Sequence, residues 1–282
     1  MTDTPTRTPA QNAQLALLLE VSSSPKPGNV DREREYPDLR FEQFLAGAVG
    51  TQTGFELAAN GESLGTAFER AIFGMSNQTG GNTQFGAVLL LMPLVKATAT
   101  GELTPETATA VVENTTVEDS VGFYRAFEHV DVAVADPPED MKTLDVRRGR
   151  DAEEVLRGRE IPLVEIMERS ADRDGIAAEW LGEFAWTFEL ARAIEFGDGP
   201  VTERAAAAYL ALLSRELDGF VIANHGRETA YEVRRRANAV LSGDENIYGF
   251  AEDLVARGIN PGTTADIVAG GLFVALERGL EI

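Results

Sequence analysis

Lys26 sits between two prolines in the run Ser24-Pro25-Lys26-Pro27-Gly28-Asn29-Val30-Asp31, in a chain whose other lysines are Lys96 and Lys142. The prolines fix φ on either side of it, Gly28 permits an unusual φ, and no large apolar side chain asks for burial. A compact ammonium on such a backbone is a good point charge for a phosphate, and Asn29 and Asp31 lie beside it. The ordinary alternative is a solvated lysine in an interhelical turn. Two later loops share this character. In Thr79-Gly80-Gly81-Asn82-Thr83-Gln84-Phe85-Gly86, glycines such as Gly81 allow close backbone approach, and Asn82 or Thr83 can cap the apolar helix that follows. No Gly-Lys-Ser/Thr follows and no strand precedes, so this is neither a Walker loop nor a dinucleotide fingerprint.

In Asn260-Pro261-Gly262-Thr263-Thr264-Ala265-Asp266, Asn260 is the expected cap and Pro261 the first helical residue. Gly262, Thr263 and Thr264 then present free N–H groups and two hydroxyls to an anion at the helix end. Asp266, one turn on, can hold magnesium or accept a hydroxyl proton. A well-capped helix with an acidic first turn is the competing reading. Arg227, in His225-Gly226-Arg227, adds local positive charge. The run Arg234-Arg235-Arg236 is expected to pair with Glu228 and Glu232 along a helix face. Each loop alone fits an interhelical turn; three together argue for one shared polar site on exposed, rigid loops.

The composition narrows the partners. With 46 acidic against 25 basic residues the formal charge is −21. An acid-rich, lysine-poor chain suits concentrated salt, where the Debye length falls to about 3 Å at 1 M and carboxylate repulsion is screened. Neither nucleic acid nor an anionic membrane surface is an expected partner, because no basic face emerges. There is no cysteine, and the histidines are His129 and His225. Thiolate metal sites, disulfides and a multi-histidine centre within one chain are therefore excluded. A metal here takes oxygen ligands, which favours Mg2+. The start of the chain lacks the apolar core of a signal peptide, and a cytoplasmic protein is expected.

These loops must be positioned by helices. Helical spacing is read over 10–21, 41–59, 65–75, 83–99, 105–114, 117–130, 162–170, 176–196, 201–217, 229–241, 245–256 and 263–279. Residues 131–158 are charged and carry Pro137-Pro138, so their reading is weakest. The stretches 130–134 and 220–223 are the candidates for short extended pieces. The expectation is an all-α, single-domain multi-helix bundle of roughly a dozen helices over 10–282, after a disordered tail over 1–9. Homo-oligomerisation stays open.

The ordered loops Ser-Pro-Lys-Pro-Gly-Asn-Val-Asp, Thr-Gly-Gly-Asn-Thr with Gly86, and Asn-Pro-Gly-Thr-Thr-Ala-Asp resemble the triphosphoribosyl-dephospho-CoA synthase family, across about Gln14 to Leu276. The resemblance implies an all-helical enzyme that joins ATP to 3′-dephospho-CoA and releases adenine. It also implies that Lys26, Asn29, Asp31, Asn82, Thr83, Gly262, Thr263 and Asp266 surround the nucleotide. Members from bacterial citrate and malonate clusters usually carry His-Lys before the middle glycine, where this chain has Gln84-Phe85, and their middle loop is one residue longer. The chain is similar to a salt-adapted archaeal branch.

That chemistry asks for a base, help for the departing purine and neutralisation of a triphosphate. Asp31 and Asp266 are the candidate base and magnesium ligands, in either order. Lys26, an arginine and the helix ends at Thr83 and Thr263 are the candidate phosphate holders. Two other readings keep the pocket: N-glycosidic hydrolysis or phosphoryl transfer, and a helical nucleotide-binding protein without turnover.

Overall fold

The computed structural model describes residues 7–132, 134, 137 and 139–282. They contain no strand, only isolated bridges pairing Asp31 with Arg34 and Tyr36 with Leu39, so the protein is all-α. The first helices are α1 (Pro9–Ser22), α2 (Phe41–Gly50), α3 (Gln52–Ala59), α4 (Leu64–Met75) and α5 (Phe85–Thr98). Next come α6 (Pro105–Glu113), α7 (Val117–Ala126), two 3-10 helices (Glu139–Leu144 and Val146–Ala152), α8 (Glu153–Gly158) and α9 (Leu163–Ser170). The last are α10 (Gly175–Leu181), α11 (Ala185–Phe196), α12 (Val201–Arg215), α13 (Gly219–Ser242), α14 (Ile247–Ala256) and α15 (Gly262–Glu277).

Two helices form the axis of the core because their sequences are apolar on every face. In α15, 12 of 16 residues are buried, and in α5, 11 of 14. A helix apolar all round must be enclosed, and α15 is packed by α1, α5, α11 and α12. Beside α5, the rings of Phe68, Phe85, Phe123 and Phe127 interlock with centroids 4.8–5.8 Å apart. The edge-to-face contacts among them are a favoured geometry for aromatic pairs. Both axial helices begin at polar loops, so the packing that buries α5 and α15 also fixes those loops.

Four local expectations are corrected. The helix expected over 41–59 divides at Thr51 into α2 and α3. The one expected over 176–196 divides because Glu183 and Phe184 take φ of 57° and 56°, a conformation that ends a right-handed helix. The stretch 220–223 is not extended; it is the first turn of α13, whose cap is Asp218. The helix expected over 117–130 stops at Ala126. The alternation over 130–134 includes Ala133, which lies outside the described residues. Of the tail expected over 1–9, residues 1–6 also lie outside them, while Thr8 caps α1 and Pro9 opens it.

Candidate active site

The first loop is not exposed. Lys26 is wholly buried, and Asn29 and Asp31 nearly so. The Lys26 ammonium donates to the Glu20 carboxylate from the end of α1 and, at 2.9 Å, to Asn29 Oδ1. Asp31 is fully engaged within its own loop. Its Oδ1 accepts from Glu33 N and Arg34 N at 2.8 and 2.9 Å, and its Oδ2 accepts from Lys26 N at 3.1 Å. The carbonyls of Pro27 and Gly28 accept from the hydroxyls of Tyr209 (2.8 Å) and Tyr36 (2.6 Å). Because protein groups satisfy each of these polar atoms, the loop can be buried at modest cost.

This loop packs directly on the third. Asn29 Nδ2 donates to Asn260 Oδ1 at 2.9 Å across 231 residues of sequence. Gly28 has φ +79°, and a Cβ there would fall 2.4 Å from the Ile259 carbonyl oxygen and 2.8 Å from Pro261 Cδ. Only glycine fits both the dihedral and the gap.

The second loop meets the third at the start of α5. Asn82 Oδ1 accepts from Phe85 N at 3.1 Å, which makes Asn82 the side-chain cap of this helix end. Gly81 is exposed, with φ +66°. Gly86 lies against Asp266; a Cβ would come within 2.1 Å of Asp266 Oδ2. Gln84 is 4% exposed, yet neither end of its amide has a hydrogen-bond partner, and Thr83 Oγ1 is equally unpaired. Such atoms cost free energy unless a water or ligand meets them.

The expected cap at Asn260 is replaced, since its side chain is spent on Asn29 and Pro261 occupies the N-cap position. Asp218 caps α15 from outside. Its Oδ2 accepts from Thr264 N and Thr264 Oγ1, both at 2.8 Å, while its Oδ1 accepts from Val221 N in its own helix. Thr263 Oγ1 accepts from Phe220 N at 3.2 Å. A Cβ on Gly175 would lie 2.5 Å from Thr263 Cγ2, and one on Gly219 would lie 3.2 Å from Gly175 N. The starts of α10, α13 and α15 therefore converge on Gly175, Gly219 and Thr263. They open into a recess of about 520 Å³ whose wall includes Asp174, Glu179, Asp218, Arg227, Thr263 and Thr264. Asp174, Asp218 and Thr263 take most of the first-turn N–H groups of these helices, so an anion in the recess would meet their dipoles more than free donors.

The same place is crowded with carboxylates. Burial first, then the charges of Glu20, Asp218 and Asp174, hold the Asp266 carboxyl well above the usual range, against the Ala87 N–H. Burial likewise raises Asp218, against hydrogen bonds from Val221 and Thr264. It raises Glu20 despite the ammonium of Lys26. Asp174 is raised by burial too, although its side chain is exposed. The two observations agree if that side chain is wetted by the recess it lines while protein surrounds it. Among the described residues no three His, Asp or Glu side chains stand as a ready metal cage. Magnesium, however, is usually held by one or two carboxylates together with substrate phosphates and water. An oxygen-only donor set of this kind fits that ion.

The first loop touches the third through Asn29 and Gly28, and Gly86 after the second loop touches Asp266; of the expected site residues, Thr263, Thr264 and Arg227 line the recess, while Lys26, Asn29, Asp31, Gly81, Asn82, Thr83, Gly262 and Asp266 do not. Sequence reasoning passed over Glu20, Asp174 and Asp218, and named Gln84 only as a departure from the family pattern. The signal for two of them was present: Asp174-Gly175 and Asp218-Gly219 are acid–glycine pairs, each opening a helix. Of the arginines, Arg148 bonds the carbonyls of Thr143 and Asp151 and Arg150 pairs with Glu128, as a charged loop would. Arg236 pairs with Glu232 as its i,i+4 spacing suggests, and also with Glu245 and Asp253.

A comparison with curated proteins found no match. Among solved structures, a candidate triphosphoribosyl-dephospho-CoA synthase from Archaeoglobus fulgidus is similar at 29% identity, with a TM-score of 0.70. The match covers 86% of this chain and 100% of that one. The family model for ATP:dephospho-CoA triphosphoribosyl transferase (CitG) matches residues 6–281. With nearly its whole length matched, the chain belongs to the ATP:dephospho-CoA triphosphoribosyl transferase family.

Proposed function

We propose that the protein joins the triphosphoribosyl group of ATP to 3′-dephospho-CoA and releases adenine, working in concentrated salt inside the cell. Family membership makes it a transferase of the triphosphoribosyl-dephospho-CoA synthase type. The observation that carries the site-level reading is the convergence of Gly175, Gly219 and Thr263 at the recess, with Asp266 one turn behind.

In the reaction, a ribose 2′-hydroxyl oxygen of the acceptor bonds to C1′ of the ATP ribose as the C1′–N9 bond breaks. The hydroxyl proton passes to a carboxylate, and adenine leaves with the bonding pair and is protonated. The transition state is oxocarbenium-like, so nearby carboxylates favour it. Asp266 is the proposed base; its raised pKa brings it closer to the working pH, as a base requires. Thr263, through its hydroxyl and N–H, takes a phosphate, with Arg227 at the wall. Magnesium, when bound, supplies charge neutralisation to the triphosphate. Lys26, Asn29 and Asp31 act through the loop they build, holding Asn260 and so the start of α15 in place.

The test is direct. Purified protein with ATP, magnesium and dephospho-CoA in concentrated salt releases free adenine. Formation of ADP or AMP without adenine counts against the assignment.

A further inference from the structure

The charged side chains that line the recess are the acids Asp172, Asp174, Glu179, Glu216 and Asp218 and the bases Arg173 and Arg227. Acids outnumber bases, yet three of them are spent on the protein itself. Asp174 Oδ1 accepts from Ile176 N and Ala177 N, both at 2.9 Å. Glu179 accepts from Trp186 N, Thr187 N and the Thr187 hydroxyl, and both oxygens of Asp218 are taken by the starts of α13 and α15. Burial raises the pKa of each of the three, which weakens the negative charge they present. Asp172 and Glu216 remain as exposed acids.

The two arginines are placed the other way. Both are exposed, and among the described residues neither pairs with a carboxylate. Arg227 follows Gly226, whose φ of 81° interrupts α13. Arg173 lies in the turn between α9 and α10. Its Nη2 donates to the Arg169 carbonyl at 3.3 Å and reaches Met141 Sδ at 3.9 Å, while its Nε and Nη1 N–H groups meet no acceptor among the described residues. A side chain already tethered loses less freedom on binding than a free one.

Concentrated salt makes such direct donors decisive. At 1 M the Debye length is about 3 Å, so attraction from helix dipoles fades within a contact distance, and most first-turn N–H groups here serve caps. A guanidinium is planar, charged at any working pH and well matched to phosphate oxygens. Resting on the transferase reading above, we infer that Arg173 holds the triphosphate of ATP in the recess, with Arg227 as the second cation. The donor's triphosphate carries more charge than the acceptor's diphosphate, so two unpaired cations favour the donor.

Inorganic tripolyphosphate, which has the charge without base or ribose, is titrated by calorimetry at one fixed salt concentration into the wild type, Arg173→Ala, Arg173→Gln and Arg235→Ala. Arg235 is exposed and lies outside the recess, so its removal reports the change in net charge alone. The wild type and Arg235→Ala should bind alike, and Arg173→Ala about tenfold to a hundredfold more weakly, the range of a hydrogen bond to a charged group. Arg173→Gln keeps a donor without the charge and decides the point in the same way if Arg173→Ala does not fold. In turnover, the KM for ATP should rise by a similar factor while that for dephospho-CoA holds. Undiminished tripolyphosphate binding in the folded Arg173 variants, an equal loss in Arg235→Ala, a wild type that binds none, or a rise confined to the KM for dephospho-CoA overturns the inference. Adenine release is scored separately: its absence in the wild type refutes the transferase reading, while the titration still decides whether Arg173 holds phosphate.

Discussion

Asp218 and Thr264, 46 residues apart, are joined by two hydrogen bonds of 2.8 Å, from the threonine N–H and from its hydroxyl to one carboxylate oxygen. The other oxygen of the same carboxyl caps α13 through Val221 N at 2.9 Å. One buried side chain thus starts two helices. Asp218→Ala strips both caps and leaves three donors unmet. Loss of a cap costs about 1 kcal/mol and each buried unmet group about 1–3. Urea unfolding is expected to show a loss of about 2–4 kcal/mol. The KM for ATP should also rise, because the start of α15 loosens.

Lys26 and Glu20 form a buried ion pair, and removing one partner strands the other. Lys26→Ala should cost about 3–5 kcal/mol in denaturant unfolding. Replacing both, as Lys26→Met with Glu20→Gln, should recover most of that stability. If Lys26→Ala unfolds like the wild type but loses ATP affinity, the lysine contacts phosphate directly and the positioning role is wrong.

Gly86→Ala places a methyl where Asp266 Oδ2 now lies, 2.1 Å away. Alanine otherwise favours a helix over glycine by about 1 kcal/mol, so the thermal midpoint should move little. Adenine release should fall by about 10² or more, since small displacements of a reacting group cost that much. A variant with full activity would remove Asp266 from the chemistry.

The pH dependence follows from the raised carboxyls. The folded protein holds protons on Asp266 and Asp218 above the pH at which the unfolded chain, near 3.8, has released them. Stability from these groups is complete below that value and is lost as pH rises toward their folded pKa values. Asp266→Asn should therefore raise the neutral-pH melting temperature of the unliganded protein while lowering adenine release by about 10²–10⁴. Binding of ATP with magnesium to the wild type should release protons, seen as a dependence of binding heat on buffer ionisation enthalpy. Asp266→Asn should diminish that release.

Much of the architecture could be read from spacing, because α5 and α15 are so apolar that nothing but a core position suits them. The loops flanking them stood out for the same reason in reverse. What spacing could not convey was the burial of Lys26. Its partner Glu20 lies on the preceding helix, and a Pro-Lys-Pro run looks the same whether solvent or a carboxylate faces it. The cap of α15 was misplaced on Asn260 for a related reason: a local pattern names a local cap, but the acceptor that serves Thr264 arrives from α13. The breaks at Thr51 and at Glu183-Phe184 were hidden because neither is marked by proline, and the glycines nearby sit inside helices as often as outside them.

The two ends of the chain are also tied together. Asn12 Nδ2 donates to Glu277 Oε1 at 2.7 Å, and Asn29 is bonded to Asn260. During synthesis the first helix and its loop emerge long before the segments that complete them. A nascent chain shorter than about 260 residues has no partner for Asn29 and no wall behind Gly28. The site is complete only once α15 is in place, and a chain that stops before Gly262 lacks Thr263, Thr264 and Asp266.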